Sequence, residues 1–296
     1  MRPEQIVQVR RFNRLVTQRA GALEDHFLGR ARPLGASRVL YEIGAEGADL
    51  RDLRVRLGLD SGYLSRIVQS LAAAGRVALQ PGAADERLRR AELTPAGRAE
   101  FDEIDRRSDE AAEAILEPLT EPQRERLVAA MAEVHRLLRA AGARIERVDP
   151  AGPAARWCLA QYFAELAERF EEGFDPGRSI PAADDAMRPP RGAFLVATAD
   201  GEPVACGALR PLAPDAPGVG YLKRMWVADA VRGLGFGRRM LGALEDEARR
   251  LGFTTLRLET NRALAEAIAL YRSAGYAEVA RFNDEPYAHH FFEKAL

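Results

Sequence analysis

Three glycines stand at alternate positions in the segment 232–237, which reads Arg-Gly-Leu-Gly-Phe-Gly and directly precedes a long predicted helix. Glycine has no Cβ, so its backbone can approach a ligand closely and adopt positive φ angles. The first amide groups of a helix have no partner within the helix, and they carry the positive end of its dipole. Such a turn is suited to holding a pyrophosphate. The segment therefore predicts a cofactor that carries a diphosphate.

Two other classes of phosphate site share parts of this pattern. A P-loop, which serves nucleoside triphosphate hydrolysis, requires Gly-Lys-Ser or Gly-Lys-Thr, whereas two arginines follow the last glycine here. A Rossmann dinucleotide site is the stronger alternative, because Glu259 ends the next predicted strand at about the spacing of a ribose-binding acid. That motif has glycine where this chain has Arg238. The charges of Lys223 and Arg224 in the preceding strand also do not suit the buried centre of a parallel sheet.

The residues around the glycine segment predict a sheet with helices packed against it. Period-two patterns predict strands at 144–148, 193–199, 204–212, 221–227 and 256–260. Helical patterns lie at about 154–172, directly after the glycine segment, and from Leu264 to Tyr271. A proline-rich loop is predicted at 175–191.

The first half of the chain carries two apolar stripes at helical spacing. The first stripe runs through Ile6, Val9, Phe12, Val16, Ala20, Leu23 and Phe27, and the second through Leu127, Met131, Val134 and Leu138. Each stripe needs a partner surface, either inside the domain or on a second copy of the chain. Between the stripes, the pattern predicts short helices near 37–43 and 50–57. A longer helix is predicted from Asp60, a good N-cap, to Gly75, a good C-terminal stop.

The helix from Asp60 to Gly75 has a polar side, and a basic hairpin follows it. The exposed side chains expected on this helix are those of Ser61, Tyr63, Ser65, Arg66 and Gln69. The hairpin carries Arg87, Arg89 and Arg90. Two short helices, a polar-faced helix and a basic hairpin, in that order, are typical of a winged helix-turn-helix that binds double-stranded DNA through both grooves. A solvated arginine-rich hairpin is the alternative for the arginines alone.

Residues 1–142 resemble the MarR family of transcriptional regulators. The resemblance lies in Asp60-Ser61-Gly62-Tyr63-Leu64-Ser65-Arg66, in Asp85-Glu86-Arg87 and in Leu93-Thr94-Pro95-Ala96-Gly97. It implies a mainly α winged helix-turn-helix in which Asp85 steadies the wing and Arg87 enters the minor groove. It also implies a homodimer formed through the terminal helices, which would cover the two apolar stripes.

Residues 143–296 resemble the GNAT superfamily of acetyltransferases. The resemblance lies in the glycine segment, in Leu222-Lys223-Arg224-Met225-Trp226-Val227 and in Leu270-Tyr271-Arg272-Ser273-Ala274-Gly275-Tyr276. It implies an α/β (α+β) fold with a mixed, largely antiparallel sheet, and acetyl-CoA as the cofactor. The implied cofactor-binding residues are Met225, Trp226, Val227, Arg232, Gly233, Leu234, Gly235, Phe236, Gly237, Arg238, Asn261 and Tyr271.

The implied reaction is acetyl transfer to a small amine. In the superfamily a tyrosine at the position of Tyr271 protonates the departing thiolate, although a tyrosine on an apolar helical stripe is also typical of a core residue. The amine is mostly protonated at neutral pH and needs a base. Glu259, His289 and His290, acting directly or through water, are the candidates for this base.

Two further segments near the end of the chain have more than one interpretation. Asn261 matches a family position that contacts the pantetheine arm, and it is also a good N-cap for the helix that follows. The polar and aromatic segment 282–287 lies where relatives shape the acceptor pocket, and its acidic residues suit either a cationic acceptor or a solvated turn.

Composition bounds the class of protein. The 296 residues are 47% hydrophobic and 29% charged, which is typical of a globular chain with two domains, here 1–142 and 143–296. Cys158 and Cys206 have no spacing that suggests a disulfide framework or a metal site. No stretch approaches the ~18 apolar residues of a membrane span, and no signal peptide is recognisable. A cytoplasmic protein without membrane or metal is expected.

Two functions from different classes follow. The first is a bifunctional protein in which one chain binds DNA and acetylates a small amine. The second is a regulator whose C-terminal half is a non-catalytic sensor of acetyl-CoA or a related metabolite. DNA binding that depends on acetyl-CoA, without turnover, would favour the sensor.

Overall fold

The computed structural model describes residues 2–19, 28, 32–81, 89–213 and 216–296, and the chain divides into two compact units, Met1–Ala130 and Met131–Leu296. Its helices are α1 (Pro3–Arg19), α2 (Leu34–Ile43), α3 (Leu50–Leu57), α4 (Ser61–Ala73), α5 (Pro95–Leu116), α6 (Glu121–Gly142), α7 (Pro153–Arg169), α8 (Phe236–Arg250) and α9 (Ala265–Ser273). Its strands are β1 (Ala48–Asp49), β2 (Val77–Pro81), β3 (Arg89–Leu93), β4 (Arg144–Val148), β5 (Ala193–Ala199), β6 (Glu202–Pro211), β7 (Val219–Val227), β8 (Thr255–Thr260), β9 (Ala277–Glu278) and β10 (His290–Ala295).

The first unit is the expected winged helix-turn-helix. Helices α2, α3 and α4 pack around one core with a three-stranded antiparallel sheet of order β1-β3-β2. The largest buried side chains of this core are those of Leu40, Ile43, Leu53 and Leu71. The two-residue strand β1 was not predicted, because so short a segment carries no period.

Helix α4 is specified by its cap and its apolar spacing. Asp60 Oδ1 accepts a hydrogen bond of 2.8 Å from the Tyr63 amide, which satisfies a free donor of the first turn. Leu64, Val68 and Leu71 are buried on one side of the helix. Gly75 follows with a φ of 67°, where glycine is favoured. The opposite side of α4 is therefore left to solvent.

A buried carboxylate fixes helix α5 to the start of the β2–β3 hairpin, which is the wing. Glu100 accepts hydrogen bonds from Arg32 Nε and Arg76 Nε, both at 2.7 Å. Thr94 caps the helix through a 3.0 Å bond from the Gly97 amide to its Oγ1. These contacts hold the beginning of β2 and the end of β3 in place, because Arg76 directly precedes β2 and Thr94 directly follows β3.

The two apolar stripes are largely open to solvent where the structure describes them. Ile6, Val9, Phe12 and Val16 on α1 are 42% to 58% exposed. On α6, Met131 and Leu138 are exposed, whereas Leu127 and Val134 are half-buried. Ala20, Leu23 and Phe27 lie outside the described residues. The described part of the first stripe is thus not part of a core within this chain.

The second unit is built on a seven-stranded sheet of order β4-β5-β6-β7-β8-β10-β9. All of its strand pairs are antiparallel except β7 and β8, which are parallel. The predicted mixed, largely antiparallel sheet is therefore confirmed. Strands β6 and β7 each begin two residues earlier than predicted, and α7 ends at Arg169 rather than at residue 172.

Helices cover both faces of this sheet. On one face, α8 buries its apolar side chains against the strands, and these are Phe236, Met240, Leu241, Leu244 and Ala248. On the other face, α7 packs against β5, β6 and β7. Cys158 and Cys206 lie together in this second core, where both are buried and free.

The centre of the sheet opens between β7 and β8. The two strands pair only where Val219–Tyr221 lies beside Thr255–Arg257, and they separate beyond that point. A β-bulge follows in β7, where the register against β6 shifts around Gly207 and Arg224 takes a φ of 57°. A Cβ on Gly207 would lie 2.6 Å from Leu244 Cδ1, so only glycine allows α8 to approach β6 this closely.

Candidate active site

Two cavities meet in the opening between β7 and β8. We call the one beside the glycine segment the loop cavity, with a volume of about 510 Å³, and the one beneath it the inner cavity, with a volume of about 110 Å³. Six residues line both, and these are Tyr162, Leu166, Met225, Leu264, Ala267 and Tyr271. A reaction between a ligand in one cavity and a ligand in the other would take place beside these residues.

The loop cavity is lined by most of the residues that sequence analysis assigned to a cofactor. These are Met225, Trp226, Val227, Arg232, Gly233, Gly235, Phe236, Gly237, Arg238 and Tyr271. Two assigned residues are not part of this lining. The side chain of Leu234 packs against the apolar core, and Asn261 lines the inner cavity instead.

The glycine segment has the geometry of an anion-binding turn. Gly233 and Gly235 have φ angles of 76° and 79°, and Gly235 is the N-cap of α8. No atom of the described residues lies within 4 Å of the place where a Cβ on either glycine would be. Because the helix begins at Phe236, the free amides of its first turn are at the loop cavity.

The side chain of Arg232 anchors the glycine segment to the end of β7. Its Nε donates a 3.0 Å hydrogen bond to the Val227 carbonyl, and its guanidinium pairs with Glu165 on α7. Glu165 also accepts a 2.9 Å bond from Trp226 Nε1. Arg232 thus shapes the turn through its side chain, and Glu165 is a site residue that sequence analysis did not single out.

Tyr271 is buried on α9 and lies at the junction of the two cavities. Its ring also contacts Tyr276 and Phe292, with centroids 5.9 Å and 5.8 Å away, so the apolar stripe of α9 does belong to the core. Burial raises the pKa of Tyr271, and the carboxylate of Glu259 raises the pKa further. The phenol therefore keeps its proton at neutral pH and can donate it.

A cluster of buried charges forms the floor of the inner cavity. Lys223 Nζ lies 3.0 Å from Glu259 Oε1 and 2.9 Å from Glu285 Oε2. The side chains are only 10%, 6% and 6% exposed, so water screens this interaction weakly. Tyr221 and Asn283 complete the cluster through a 2.8 Å bond from Asn283 Nδ2 to the Tyr221 hydroxyl. One cation between two carboxylates leaves an excess of negative charge.

The three candidate bases, Glu259, His289 and His290, lie in different places in the structure. Glu259 lines the inner cavity, as part of the cluster with Lys223. His289 and His290 line neither cavity. His290 instead lies 2.7 Å from Glu278 through its Nδ1, at the β9–β10 edge of the sheet. Of the three, only Glu259 is near the junction where an amine could react.

The N-cap interpretation of Asn261 is wrong. Helix α9 begins at Ala265 with Leu264 as its cap residue, four positions after the end of β8. Asn261 Oδ1 accepts from the Ala263 amide at 2.9 Å, and its Nδ2 donates to the Tyr287 carbonyl at 2.8 Å. The asparagine stabilises a local turn and ties it to the 282–287 segment, because asparagine forms such turns as readily as it caps helices.

The residues assigned to DNA differ in how accessible they are. Those of α4 are all exposed, namely Ser61, Tyr63, Ser65, Arg66 and Gln69. Arg89 is also exposed. Arg90 is held by Asp49, Glu92 and the Glu46 carbonyl, so a contact with DNA would have to displace these bonds. Arg87 and Asp85 lie outside the described residues.

Two kinds of feature are absent from the described part of the chain. No group of three or more His, Cys, Asp and Glu side chains there is placed to hold a metal ion. None of its helices combines the length and the apolar character needed to cross a membrane.

Two family models match separate parts of the chain. Residues 32–88 match the MarR family, and residues 159–276 match the Acetyltransferase (GNAT) family. The chain thus has a region that matches the MarR family followed by a region that matches the GNAT family, and we call these the MarR region and the GNAT region. The GNAT match includes the bulged strand β7, the glycine segment and Tyr271, whereas Glu285 lies beyond its end.

Relatives of the GNAT region include named acetyltransferases. IAA acetyltransferase of Azospirillum brasilense is 47% identical over 90 residues, which cover 30% of this chain and 57% of that protein. The uncharacterized N-acetyltransferase YjgM of Escherichia coli (strain K12) is 29% identical over 130 residues, covering 43% of this chain and 77% of the relative. The chain thus spans little more than half the length of the first relative. The structure of a GCN5-related N-acetyltransferase from Kribbella flavida aligns over 53% of this chain and 99% of its own, with 23% identity and a TM-score of 0.41.

Sequence analysis missed Glu165 and Arg224 as site residues, and it included Glu285 only among the acidic residues of the segment 282–287. Glu165 and Glu285 carry no local motif, and their partners lie 67 and 62 residues away in the chain. Arg224 entered the analysis only as a charge that did not suit a parallel sheet. Arg224 alternates with Leu222 and Trp226 in the strand, so it is a charged residue on a side that is otherwise apolar. This pattern was the one available signal for a functional arginine.

Proposed function

We propose that the GNAT region is an acetyl-CoA-dependent N-acetyltransferase acting on a small amine, in a cytoplasmic chain whose MarR region binds double-stranded DNA as a homodimer. One observation carries the enzymatic part. The loop cavity, with an anion-binding turn, and the inner cavity, with a buried carboxylate cluster, meet at Tyr271. Named N-acetyltransferases among the relatives of this region support the reaction class.

The residues present fit acetyl-CoA. The amides at the start of α8 and the two glycines with positive φ suit its diphosphate. Beyond Tyr221, the edge of β7 that faces β8 has no strand pairing, so the backbone at Met225 and Val227 is available to the pantetheine arm. Acetyl-CoA, when bound, would supply the acetyl group as a thioester.

The chain's own residues would then position the reactants and move two protons. The amide near Val227 can polarise the reacting carbonyl, and Tyr271 holds a proton for the departing sulfur. Glu259, directly or through water, is the proposed acceptor of the proton that the amine must lose. Within the inner cavity, the two carboxylates beside Lys223 are the groups that would attract the cationic form of an amine.

Replacement of Tyr271 tests this assignment. Tyr271→Phe removes only the hydroxyl, and we expect kcat for CoA release from acetyl-CoA to fall about 100-fold or more, as is typical for loss of a general acid. The affinity for acetyl-CoA, measured by calorimetry, should change little. A Tyr271→Phe variant with the turnover of the wild type would remove Tyr271 from the mechanism.

The matched control is Tyr276→Phe. Tyr276 is a second buried tyrosine whose ring is 5.9 Å from that of Tyr271, and it lines neither cavity. The same chemical change is made in the same core, so Tyr276→Phe should retain full turnover. A comparable loss in both variants would indicate a packing effect rather than proton transfer.

The DNA-binding part of the proposal is supported by the exposed side of α4. Arg66 lies over the ring of Tyr63, with its guanidinium carbon 6.0 Å from the ring centroid, and both side chains are open to solvent. The exposed apolar residues of α1 and α6 support a homodimer, because so many unpartnered apolar side chains are unusual in a monomer.

A further inference from the structure

Arg224 is a half-buried cation at the inner cavity, and its one protein partner among the described residues is the face of an aromatic ring. Its side chain lines the cavity, with the guanidinium carbon 5.6 Å from the centroid of the Phe163 ring. Within the described ranges, no carboxylate lies within 4.0 Å of this guanidinium, and it donates no hydrogen bond to a protein group. Burial lowers the pKa of Arg224, which reflects the unfavourable transfer of an unpaired cation out of water.

The backbone holds Arg224 in this position against its intrinsic preference. A φ of 57° is disfavoured for a residue other than glycine. The bulge opposite Gly207 sets this conformation, and as a result the successive residues Lys223 and Arg224 both line the cavity. The thiol of Cys206 donates a 3.3 Å hydrogen bond to the Arg224 carbonyl. A strained, half-buried arginine with no ion-pair partner among the described residues is typical of a residue kept for a ligand.

The opposite charge lies in the same cavity. The cluster of Glu259, Lys223 and Glu285 has one more carboxylate than it has cations. Glu285 Oε2 accepts from Ser179, Ile180 and Lys223, but its Oε1 is buried without a hydrogen-bond partner among the described residues. The inner cavity therefore presents a free positive group and a surplus negative group to one small ligand.

The remaining wall of the cavity is aromatic. Phe163, Phe170, Phe174 and Tyr287 line it, with neighbouring ring centroids between 4.8 Å and 5.9 Å apart. The one polar group on these rings is the Tyr287 hydroxyl, which is already bonded to the backbone of Asp175. The rings suit the apolar side chain of the ligand.

We propose that the acceptor is an amino acid with an apolar side chain, whose carboxylate binds to Arg224 and whose amino group meets the Glu259–Lys223–Glu285 cluster. The guanidinium matches a carboxylate with two parallel hydrogen bonds. An amine without a carboxylate would leave the half-buried Arg224 without an ion-pair partner, which is the less favourable arrangement. This inference rests on the proposed acetyltransferase function and names the class of its acceptor.

The test compares amino acids with the amines that lack only the carboxylate. The pairs are phenylalanine with phenethylamine, tyrosine with tyramine, tryptophan with tryptamine, and leucine with isopentylamine. For the full-length wild type, we expect at least one amino acid to have a kcat/KM about 10- to 100-fold above its partner amine, the range for one charge-assisted contact. Arg224→Gln should remove that preference mainly through KM, and Arg224→Lys should restore part of it.

The control is Arg191→Gln, an exposed arginine of the same unit that lines neither cavity. It should leave the preference intact. The inference is overturned if the wild type uses amines equally with and without the carboxylate, or if Arg224→Gln keeps the wild-type ratio. Turnover of amines in that case would leave the acetyltransferase function standing.

Direct binding decides the question if no compound is turned over. Calorimetry of the four amino acids on CoA-loaded wild type and on CoA-loaded Arg224→Gln reports the carboxylate contact without chemistry. A loss of about 10-fold or more in affinity in the variant supports the inference while the enzymatic proposal fails. No binding of any of the four at millimolar concentration to the wild type overturns it.

Discussion

At the scale of single residues, four tyrosines distinguish this protein, three of them buried and Tyr162 half-buried. Burial raises the pKa of Tyr162, Tyr221, Tyr271 and Tyr276 above the ordinary value. Tyr162 and Tyr271 line both cavities, and Tyr221 belongs to the charge cluster with Lys223. The proton that Tyr271 donates in the proposed mechanism is thus held by a group that does not ionise at physiological pH.

The raised pKa values predict how stability depends on pH. In the unfolded chain tyrosines ionise near pH 10, whereas these four stay protonated to higher pH in the folded protein. Above about pH 10 the folded state therefore binds more protons than the unfolded state, so the free energy of unfolding falls as the pH rises further. Below that pH these groups contribute no pH dependence.

Absorbance at 295 nm measures this directly. Of the seven tyrosines in the chain, we expect five to ionise above the range in which the tyrosines of the denatured protein ionise, namely these four and Tyr41, whose pKa is raised mainly by its hydrogen bond to Asp105. Denaturant titrations at pH 9 and pH 11 should show the loss of stability. Ionisation of all seven near pH 10, in protein that circular dichroism shows to be folded, would contradict the burial described here.

At the scale of elements, the bulge in β7 and the close approach of α8 to β6 determine where the residues of the site lie. Gly207→Ala would bring a methyl group to 2.6 Å from Leu244 Cδ1 and 3.5 Å from Met240 Cγ. We expect a loss of about 1 to 3 kcal/mol in the free energy of unfolding, the usual cost of overpacking. Affinity for acetyl-CoA should fall as well, because α8 carries the turn at its first residue. Thermal and chemical denaturation measure the first effect, and calorimetry measures the second.

Gly242→Ala is the control for this prediction. Gly242 lies inside α8, and a Cβ there would meet no described atom within 4 Å. Alanine is favoured over glycine in a helix, so the variant should gain up to about 1 kcal/mol. If Gly207→Ala and Gly242→Ala had the same free energy of unfolding, the close packing at Gly207 would not limit stability.

Elements with strong local signals were predictable from the sequence. The cap at Asp60 and the spacing of Leu64, Val68 and Leu71 predict α4, and the glycine pattern predicts the turn before α8. The bulge was not predictable, because it depends on the register between β6 and β7 rather than on a local pattern. Unless the bulge is known, nothing in the sequence indicates that the Arg224 side chain lines the inner cavity.

Contacts distant in the chain were also out of reach. Glu285 follows Lys223 by 62 residues, and no spacing rule links them. For Asn261 a local rule was available, and it predicted a helix cap. The asparagine forms a local turn instead. Asparagine both caps helices and forms turns, and tertiary contacts determine which of the two it does. Here that contact is the hydrogen bond to the Tyr287 carbonyl.

At the scale of the whole molecule, the near-neutral charge of the chain requires that any affinity for DNA come from local arginines. The formal net charge is −1. Arg66→Ala and Arg87→Ala should each weaken binding of the full-length protein to its DNA, and the slope of log affinity against log salt should become shallower where a phosphate contact is lost. Fluorescence anisotropy across a salt series measures both quantities.

Arg126→Ala provides the comparison for the DNA measurements. Arg126 is exposed on α6, away from the polar side of α4 in sequence, and its loss should leave affinity and slope unchanged. Affinities equal to the wild type in both Arg66→Ala and Arg87→Ala would argue that the MarR region serves assembly rather than DNA recognition.

The central claim is that the turn at 232–237 binds the diphosphate of coenzyme A through its backbone amides. Calorimetry of the full-length protein with acetyl-CoA and with S-acetylpantetheine, which lacks the diphosphate, tests it most directly. We expect acetyl-CoA to bind at least about 10-fold more tightly, the effect of one charge-assisted contact or more, and Gly235→Ala to reduce only the affinity for acetyl-CoA. Equal affinities for the two ligands, or no heat of binding with acetyl-CoA at two temperatures on folded protein, would contradict the claim.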